Sequence, residues 1–274
     1  MCCLFLAASS TVAIAQTNVV DLVNPIIGTN GMGHTFPGAC VPFGLVQLSP
    51  DTDTIPHNVD GKYQPRSYEY CAGYQHKDSS IVGFSHTHFS GTGHSDLGDI
   101  LIMPTTGTLK LNPGTATNPD GGYRSRFSHG TEISRPGYYE VMLADYGVKA
   151  QLTTTQRVGI HKYTYPTNSE NQRIILDMIH GIYNYDGKVL WTNIRVENDT
   201  LVTGYRITNG WARTNYTYFA MSFSKPITHY GCEEKAKVNY RGGYAKFNMK
   251  ENFPDIGGRK IVAYFDFDPK TSDE

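Results

Sequence analysis

Residues 148–154 read Val-Lys-Ala-Gln-Leu-Thr-Thr, and apolar or small side chains alternate there with polar ones. In an extended chain Val148, Ala150, Leu152 and Thr154 share one face, and the residues between them share the other. A period of two is typical of a strand with one face in a core and the other in solvent. The segment therefore predicts a half-buried β-strand.

Similar short runs recur from about residue 98 onward, separated by turn residues. The last run places Ile261, Ala263, Phe265 and Phe267 on one face. No segment shows the period of an amphipathic helix. Strands are predicted at 100–103, 138–144, 148–155, 157–165, 173–179, 188–196, 200–207, 215–223, 235–249 and 260–268. The pattern predicts an all-β fold, a large antiparallel β-sandwich.

The first ninety residues are rich in Pro and Gly and contain few regular runs. Phe36-Pro37-Gly38 and Ser49-Pro50-Asp51 are examples, and Asp51 and Asp53 are interpreted as turn residues. Loops this long in a compact domain are usually functional or disordered. The interleaved Phe, Tyr, His and Val argue against disorder. We expect long, ordered N-terminal loops that cover one face of the sandwich.

The composition excludes some classes of partner. Of 274 residues, 18% are charged and the net charge is -1, so no basic surface for nucleic acid or anionic lipid is expected. Cys40, Cys71 and Cys232 follow the N-terminal region without any Cys-x-x-Cys pair, which gives no support to a structural zinc site. One disulfide and three reduced thiols both remain open.

The N-terminus resembles an export signal. Residues 1–15 carry no charge, residues 2–8 are apolar, and Ala13-Ile14-Ala15 fits a small-x-small cleavage site before Gln16. A basic n-region is missing, which suggests that the true start lies upstream. The run is too short to span a bilayer, and a buried first strand is the alternative. We expect residues 1–15 to be a signal peptide and the protein to be exported, periplasmic or extracellular, in a bacterium, with no transmembrane segment.

Residues 83–99 are the strongest candidate for a functional site. They contain His86, His88, His94, Asp96 and Asp99 among four glycines, with few aliphatic side chains. Such a segment contributes little to a core, and its glycines let the backbone turn sharply or approach a ligand closely.

The His86-x-His88 pair has two interpretations. On a strand both imidazoles would point to one face, as in zinc metallohydrolases, with His94 as a third ligand. However, Ser90 and Gly91 stand where a metallo-β-lactamase pattern needs Asp and His, and the helices of an amidohydrolase are absent. Histidines that bond substrate hydroxyls or neighbouring loops are favoured, and a zinc metallohydrolase using His86 and His88 is kept as a lesser alternative.

The carboxylates and aromatic residues also allow two interpretations each. Asp96 and Asp99 could form the acid–base pair of a glycosidase, or could cap backbone amides in turns. Six aromatic residues could stack on sugars or pack the loops onto the sandwich: Tyr63, Tyr68, Tyr70, Tyr74, Phe84 and Phe89. The Gly91-Thr92-Gly93 triplet does not fit a nucleotide loop, because Gly98 falls too late for the third glycine and no βαβ unit follows.

Several motifs together resemble glycoside hydrolase family 92. They run in order from about residue 20 to residue 265, and lie at 23–29, 36–39, 41–44, 48–52, 72–74, 83–93, 96–100, 104–107, 136–139, 157–159 and 174–181. The histidine segment, Gly-Phe-Ser-His-Thr-His-Phe-Ser-Gly-Thr-Gly at 83–93, is the longest of them.

The resemblance implies calcium-dependent, inverting exo-α-mannosidases that act on α-1,2-linked and other mannosides of N-glycans. It implies an N-terminal β-supersandwich of the galactose-mutarotase type joined to a C-terminal (α/α)6 barrel, with the active site between them. Residues 16–274 would be the N-terminal domain, incomplete at its C-terminal end. Because the family's acid, base and most calcium ligands lie in the barrel, no catalytic residue is assigned here, and the chain alone is expected to be inactive.

What the resemblance transfers is a loop surface that faces the barrel and binds mannose-containing glycans. Its predicted substrate-binding residues are His34, Tyr74, His86, His88, Ser90, Gly91, Thr92, Gly93, Asp96 and Asp99. A non-catalytic carbohydrate-binding module is the alternative function.

Overall fold

The computed structural model describes residues 18–52, 55–91, 96–236 and 251–270. These residues form strands and short 3-10 helices, with no α-helix among them. The strands are β1 Ala39–Cys40, β2 Gln47–Asp51, β3 Asn58–Val59, β4 Lys62–Tyr63, β5 Ser80–Ile81, β6 Gly83–Ser85, β7 Leu101–Thr105, β8 Ser125–Arg126, β9 Ile133–Arg135, β10 Tyr138–Leu143, β11 Val148–Thr154, β12 Gly159–Thr164, β13 Gln172–Asp177, β14 Val189–Val196, β15 Leu201–Thr208, β16 Asn215–Ser222, β17 Ile227–Glu234, β18 Asp255–Gly258 and β19 Ile261–Phe267. The 3-10 helices are Val19–Leu22, Pro65–Tyr70, Pro119–Gly121 and His129–Thr131.

Three antiparallel sheets build the molecule. A seven-stranded sheet has the order β1-β2-β6-β7-β13-β19-β17, and two four-stranded sheets have the orders β12-β11-β10-β9 and β16-β15-β14-β18. Two ribbons, β3-β4 and β5-β8, complete the pairing in the described residues. The predicted all-β antiparallel sandwich is confirmed. No helix in these residues is long and apolar enough to cross a membrane.

The seven-stranded sheet lies between two hydrophobic cores. On one face Val262 and Tyr264 of β19 pack in a core with side chains of β10 and β11. On the other face Phe265 and its β19 neighbours pack in a core with Ile194 of β14 and Val202 of β15. A strand covered on both faces reads as a continuous apolar run, and β19 is buried at nearly every position.

The predicted alternation on β11 is confirmed. Val148, Ala150 and Leu152 are buried in the first core, and the residues between them are partly exposed. In the antiparallel register Val141 of β10 lies opposite Ala150, so the two inner faces match along the pair.

Some predictions about the strands need correction, and others concern residues that the structure does not describe. Two segments interpreted as loop, around Gln47–Asp51 and Gly83–Ser85, are strands β2 and β6 of the central sheet. Strand β17, Ile227–Glu234, was not predicted. Most of the strand predicted at 235–249, and the predicted signal peptide at 1–15, lie outside the described residues.

Candidate functional site

A buried carboxylate at the end of β2 is the centre of the site. Asp51 is 1% exposed. One of its oxygens lies 2.7 Å from Nε2 of His88, and the other lies 2.8 Å from Nε2 of His180. The turn predicted at Asp51 is therefore wrong, because the residue pairs in the central sheet and orients two imidazoles.

The hydrogen bonds of His88 and His180 show that the Asp51 carboxyl group is ionised. Nδ1 of His88 lies 2.7 Å from the carbonyl oxygen of Gln47, which can only accept a proton, so Nδ1 is the donor. Burial would raise the pKa of Asp51, but the charges and hydrogen bonds of His88 and His180 outweigh it and hold that pKa well below its usual range. Asp51 is thus an ionised acceptor for both rings.

The loop that precedes Tyr74 passes directly over this carboxylate. Gly73 has φ +82°, and a Cβ there would lie 2.1 Å from Oδ1 of Asp51. The Gly73 backbone therefore passes close to the buried carboxylate at a place where only glycine fits.

A second buried ion pair holds the far end of the histidine segment. Nε and Nη2 of Arg206, on β15, lie 3.0 and 2.5 Å from Oδ1 of Asp99. The Thr87 hydroxyl donates to the other Asp99 oxygen at 2.8 Å. Arg206 also donates to the carbonyl oxygen of His180, which links this pair to the Asp51 group. Asp99 is therefore a structural anion here.

The amino group of Lys188 is also buried, next to the Asp51 and Asp99 groups. Its Nζ contacts the carbonyl oxygens of Ile182 and Leu97, and a Cβ at Gly181 would lie 2.6 Å from it. Burial, and next the charge of Arg206, lower the pKa of Lys188 to about 7. The ammonium is balanced between its charged and neutral forms near neutral pH.

Asp96 caps backbone amides in a neighbouring loop. Its two oxygens accept from the amides of Trp211 at 2.8 Å and Ala212 at 3.1 Å. A Cβ at Gly210 would lie 1.4 Å from Oδ1 of Asp96, so this loop needs glycine there. The geometry favours the capping interpretation of Asp96 over an acid–base pair with Asp99.

His86 belongs to a different hydrogen-bonded chain from His88. Its Nδ1 lies 2.7 Å from the carbonyl oxygen of Ile100, and its Nε2 lies 3.0 Å from Nε2 of His161. Burial lowers the pKa of His86 to about 4, and it lowers that of His161 even further below its usual range. Because the His86 and His88 rings are committed to separate partners, they do not converge on one metal position.

The exposed part of the segment is short. Phe89 is 55% exposed, and Ser90 and Gly91 follow it at the surface. Gly91 has φ +102° and open space at its Cβ position, and its amide donates to the carbonyl oxygen of His34 at 2.8 Å. Thr92, Gly93 and His94 lie outside the described residues.

The other predicted site residues are largely buried. The His34 ring packs edge-on to Tyr68 with ring centres 4.9 Å apart. Tyr74 is enclosed in the first core, and its hydroxyl donates to Glu132 at 2.9 Å. The structure thus links Asp51, His88 and Asp99 in one buried network and holds Tyr74 in the core.

A narrow cleft with room for about one water molecule lies beside Asp51. Its lining includes Ser67, Tyr70, His180 and Tyr183. A cleft of this size holds a water molecule and not a sugar ring. The carboxylates described above are bound to cations, imidazoles or amides, so the arrangement can position a ligand but offers no acid–base pair of its own.

Sequence reasoning missed His180, Lys188 and Arg206. Each is polar within or beside an otherwise apolar run of a predicted strand. A charged residue at such a position implies a buried partner, and this was the available signal.

Comparison with known proteins assigns the chain to a family. A model of the glycosyl hydrolase family 92 N-terminal domain matches residues 22–274. The chain belongs to glycosyl hydrolase family 92. Its resemblance to that family, inferred from the motifs, is confirmed.

Solved structures of the family share its fold. A family 92 α-mannosidase of Bacteroides thetaiotaomicron, in complex with mannoimidazole, is 39% identical with a TM-score of 0.77, over 91% of this chain and 30% of that one. A family 92 inverting mannosidase of the same species is 26% identical with a TM-score of 0.66, over 93% of this chain and 30% of that one. The chain thus spans less than a third of the length of these structures.

A curated relative matches over a shorter stretch. An uncharacterized secreted glycosidase of Arthroderma benhamiae is 28% identical over 170 residues, which are 59% of this family 92 chain and 19% of the relative.

Proposed function

We propose that this chain is the N-terminal domain of an exo-α-mannosidase and forms one wall of its mannose pocket. The observation that carries the proposal is its 39% identity, across 91% of its length, with an α-mannosidase that binds mannoimidazole. The partner domain is a C-terminal (α/α)6 barrel, and the substrates are mannose-containing glycans, with α-1,2-linked mannosides of N-glycans as the preferred class. Export to the periplasm or the extracellular space places the enzyme where such glycans occur.

Within this pocket, residues 89–91 make the direct contacts. The exposed Phe89 ring can stack on the C–H face of a sugar, and Ser90 and the Gly91 backbone can bond hydroxyls. His88 and Asp99 act as positioning residues from beneath, because both are buried and bonded to other side chains. The substrate-binding roles predicted for Tyr74, His86 and Asp96 become supporting roles, because their polar atoms bond other protein groups. His34 supports Gly91 through its carbonyl oxygen.

The reaction proposed for the complete enzyme is inverting hydrolysis. One carboxyl group protonates the leaving oxygen, and a carboxylate on the opposite face of the ring activates water. Both groups belong to the proposed barrel. This chain binds and orients mannose, and such positioning lowers the barrier only when the reacting groups are present.

Calcium is the proposed cofactor of the complete enzyme, where it would bind mannose hydroxyls. Ca²⁺ takes about six to eight oxygen ligands. The single group of three or more potential ligands that the described residues bring together holds two imidazoles and one carboxylate. That set does not fit calcium, and most of the calcium ligands are proposed to lie in the barrel.

The test compares the full-length enzyme with the chain alone on an α-1,2-mannobiose substrate. We expect turnover by the full-length enzyme and none by residues 16–274. Phe89→Ala in the full-length enzyme should lower kcat/KM about threefold to tenfold, as expected for loss of one aromatic contact. The matched control is Phe253→Ala, which alters another exposed phenylalanine and should leave kcat/KM unchanged.

Three other outcomes would redirect the assignment. Turnover of the substrate by the chain alone would contradict the proposal that the reacting groups lie in the barrel. If that turnover required stoichiometric zinc and was abolished by His86→Ala, the chain would be a metallohydrolase. Calorimetric binding of mannobiose by the chain, combined with an inactive full-length protein, would indicate a carbohydrate-binding module.

A further inference from the structure

Two histidines and a glutamate converge at a place the mannosidase proposal does not use. His76 precedes β5, and His129 begins the 3-10 helix His129–Thr131, which Glu132 follows. One ligand atom from each of the three residues lies within 4.8 Å of the other two. The two imidazole rings are 4.0 Å apart between centres and tilted by 35°.

The carboxylate of this group is fixed by the core. Its side chain is 3% exposed. The Tyr74 hydroxyl donates to both oxygens of Glu132 at 2.9 and 3.0 Å, and the Tyr139 hydroxyl donates to Oε1 at 2.7 Å. Burial and the Glu132 charge raise the pKa of both phenols, so they remain donors. Outer-shell donors of this kind orient a ligating carboxylate.

The His129 imidazole bonds the carboxylate directly and is accessible. The His129 side chain is 38% exposed, and its Nδ1 lies 2.7 Å from Oε2 of Glu132. Ser128 caps the short helix by accepting from the Gly130 amide at 3.2 Å. The His76 amide donates to the carbonyl oxygen of Thr29 at 2.9 Å. The His76 ring packs against His129, and its Nδ1 lies 3.4 Å from the Tyr74 hydroxyl, so a nitrogen of each ring lies near the Glu132 carboxylate.

We propose that His76, His129 and Glu132 bind a divalent transition-metal ion of the Zn²⁺ class. Two imidazole nitrogens and one carboxylate oxygen suit Zn²⁺, whereas Ca²⁺ and Mg²⁺ select oxygen ligands. Ligands about 2.1 Å from a tetrahedral metal lie ~3.4 Å apart, so atoms within 4.8 Å of one another need to approach by up to ~1.4 Å. Rotation of the exposed His129 ring supplies this movement.

Metal binding replaces the hydrogen bond between His129 and Glu132 with bonds from both residues to the ion. The proton that now joins His129 to Glu132 leaves for solvent when the nitrogen and oxygen coordinate the metal, since a ligating imidazole nitrogen carries no proton. Water completes the coordination. The ion joins the loop at residue 76 to the segment at 129–132, more than fifty residues further along the chain, and stabilises the folded state by binding it preferentially.

The test uses the protein purified without a histidine tag, stripped with a chelator and titrated with ZnCl₂ by calorimetry. We expect one equivalent of Zn²⁺ to bind and to raise Tm. His129→Ala should weaken binding at least tenfold, and Tyr139→Phe should weaken it about tenfold by freeing the Glu132 carboxylate. His229→Ala is the matched control, because it removes another surface histidine whose side chain is 39% exposed.

Two results would overturn the proposal. One is the absence of stoichiometric Zn²⁺ binding to the unmodified protein. The other is equal Zn²⁺ affinity in the unmodified protein and in His129→Ala. A preference for Ca²⁺ or Mg²⁺ over Zn²⁺ at this site would also contradict the assigned class of metal. Because the readout is metal in the protein and not sugar turnover, failure here leaves the mannosidase proposal unaffected.

Discussion

Acidification should destabilise the fold through one directed chain of hydrogen bonds. Nδ1 of His86 donates to the Ile100 carbonyl, so its Nε2 must accept from Nε2 of His161. Nδ1 of His161 then accepts from the Tyr163 hydroxyl, 2.7 Å away. A proton added to Nε2 of His86 would place its N–H against the N–H at Nε2 of His161, and the hydrogen bond between the two rings would be lost.

The magnitude follows from the lowered pKa. The pKa of His86 is about 4 in the folded state, against an ordinary value of 6.5. Because the unfolded chain binds this proton more tightly, the stability from neutral His86 is complete above pH 6.5 and is lost as the pH falls toward 4. Linkage gives a loss of about 2 kcal/mol at pH 5 and about 3 kcal/mol at pH 4 relative to pH 7.

Urea unfolding between pH 7 and pH 4 measures this loss. His86→Gln keeps a donor for Ile100 and an acceptor for His161 but cannot titrate, so the variant should lose about 2 kcal/mol less than the unmodified protein at pH 5. His229→Gln, a surface substitution, should follow the unmodified protein. Equal pH slopes for the unmodified protein and His86→Gln would refute the reasoning. Nitrogen-15 shifts of the two rings would independently report the tautomers.

Three further predictions concern the buried charges. Arg206→Met should lower the free energy of unfolding in urea by about 3–5 kcal/mol, because it leaves the Asp99 carboxylate buried and unpaired. The control Arg195→Met, at a side chain 60% exposed, should lower it by under about 1 kcal/mol. The free energy of unfolding should rise by about 3 kcal/mol between pH 7 and pH 9.5, because Lys188 has a pKa of about 7 in the folded state and binds its proton more tightly in the unfolded chain. The Lys188→Met variant should not show this rise. Gly210→Ala should lower Tm by several degrees in a thermal scan, because the new Cβ would displace the Asp96 carboxylate.

The regular part of the fold was predictable from local pattern. The alternation at 148–154 gave the correct strand and the correct buried face, because β11 has one face in a core. The alternation proposed for 261–267 described only half of the burial. Strand β19 lies in the central sheet, and the first core, through Val262 and Tyr264, covers the face that the pattern left to solvent.

The candidate site was predictable only in part. The segment at 83–99 was identified correctly as polar and constrained, but which of its groups are buried depends on distant residues. Asp51 follows Ser49-Pro50 and has the local composition of a turn, yet its partner His180 lies 129 positions away. Arg206 lies 107 positions from Asp99. No local pattern reports pairings at such separations.

The Asp51 group also bears on when the surface at 89–91 can form during folding. Its three side chains come from segments separated by 37 and 129 positions, so they meet only after most of the chain has been ordered. Contacts of such long range form slowly. A partly folded chain therefore lacks the Asp51 group, and the glycan binding proposed for residues 89–91 would report completion of the fold.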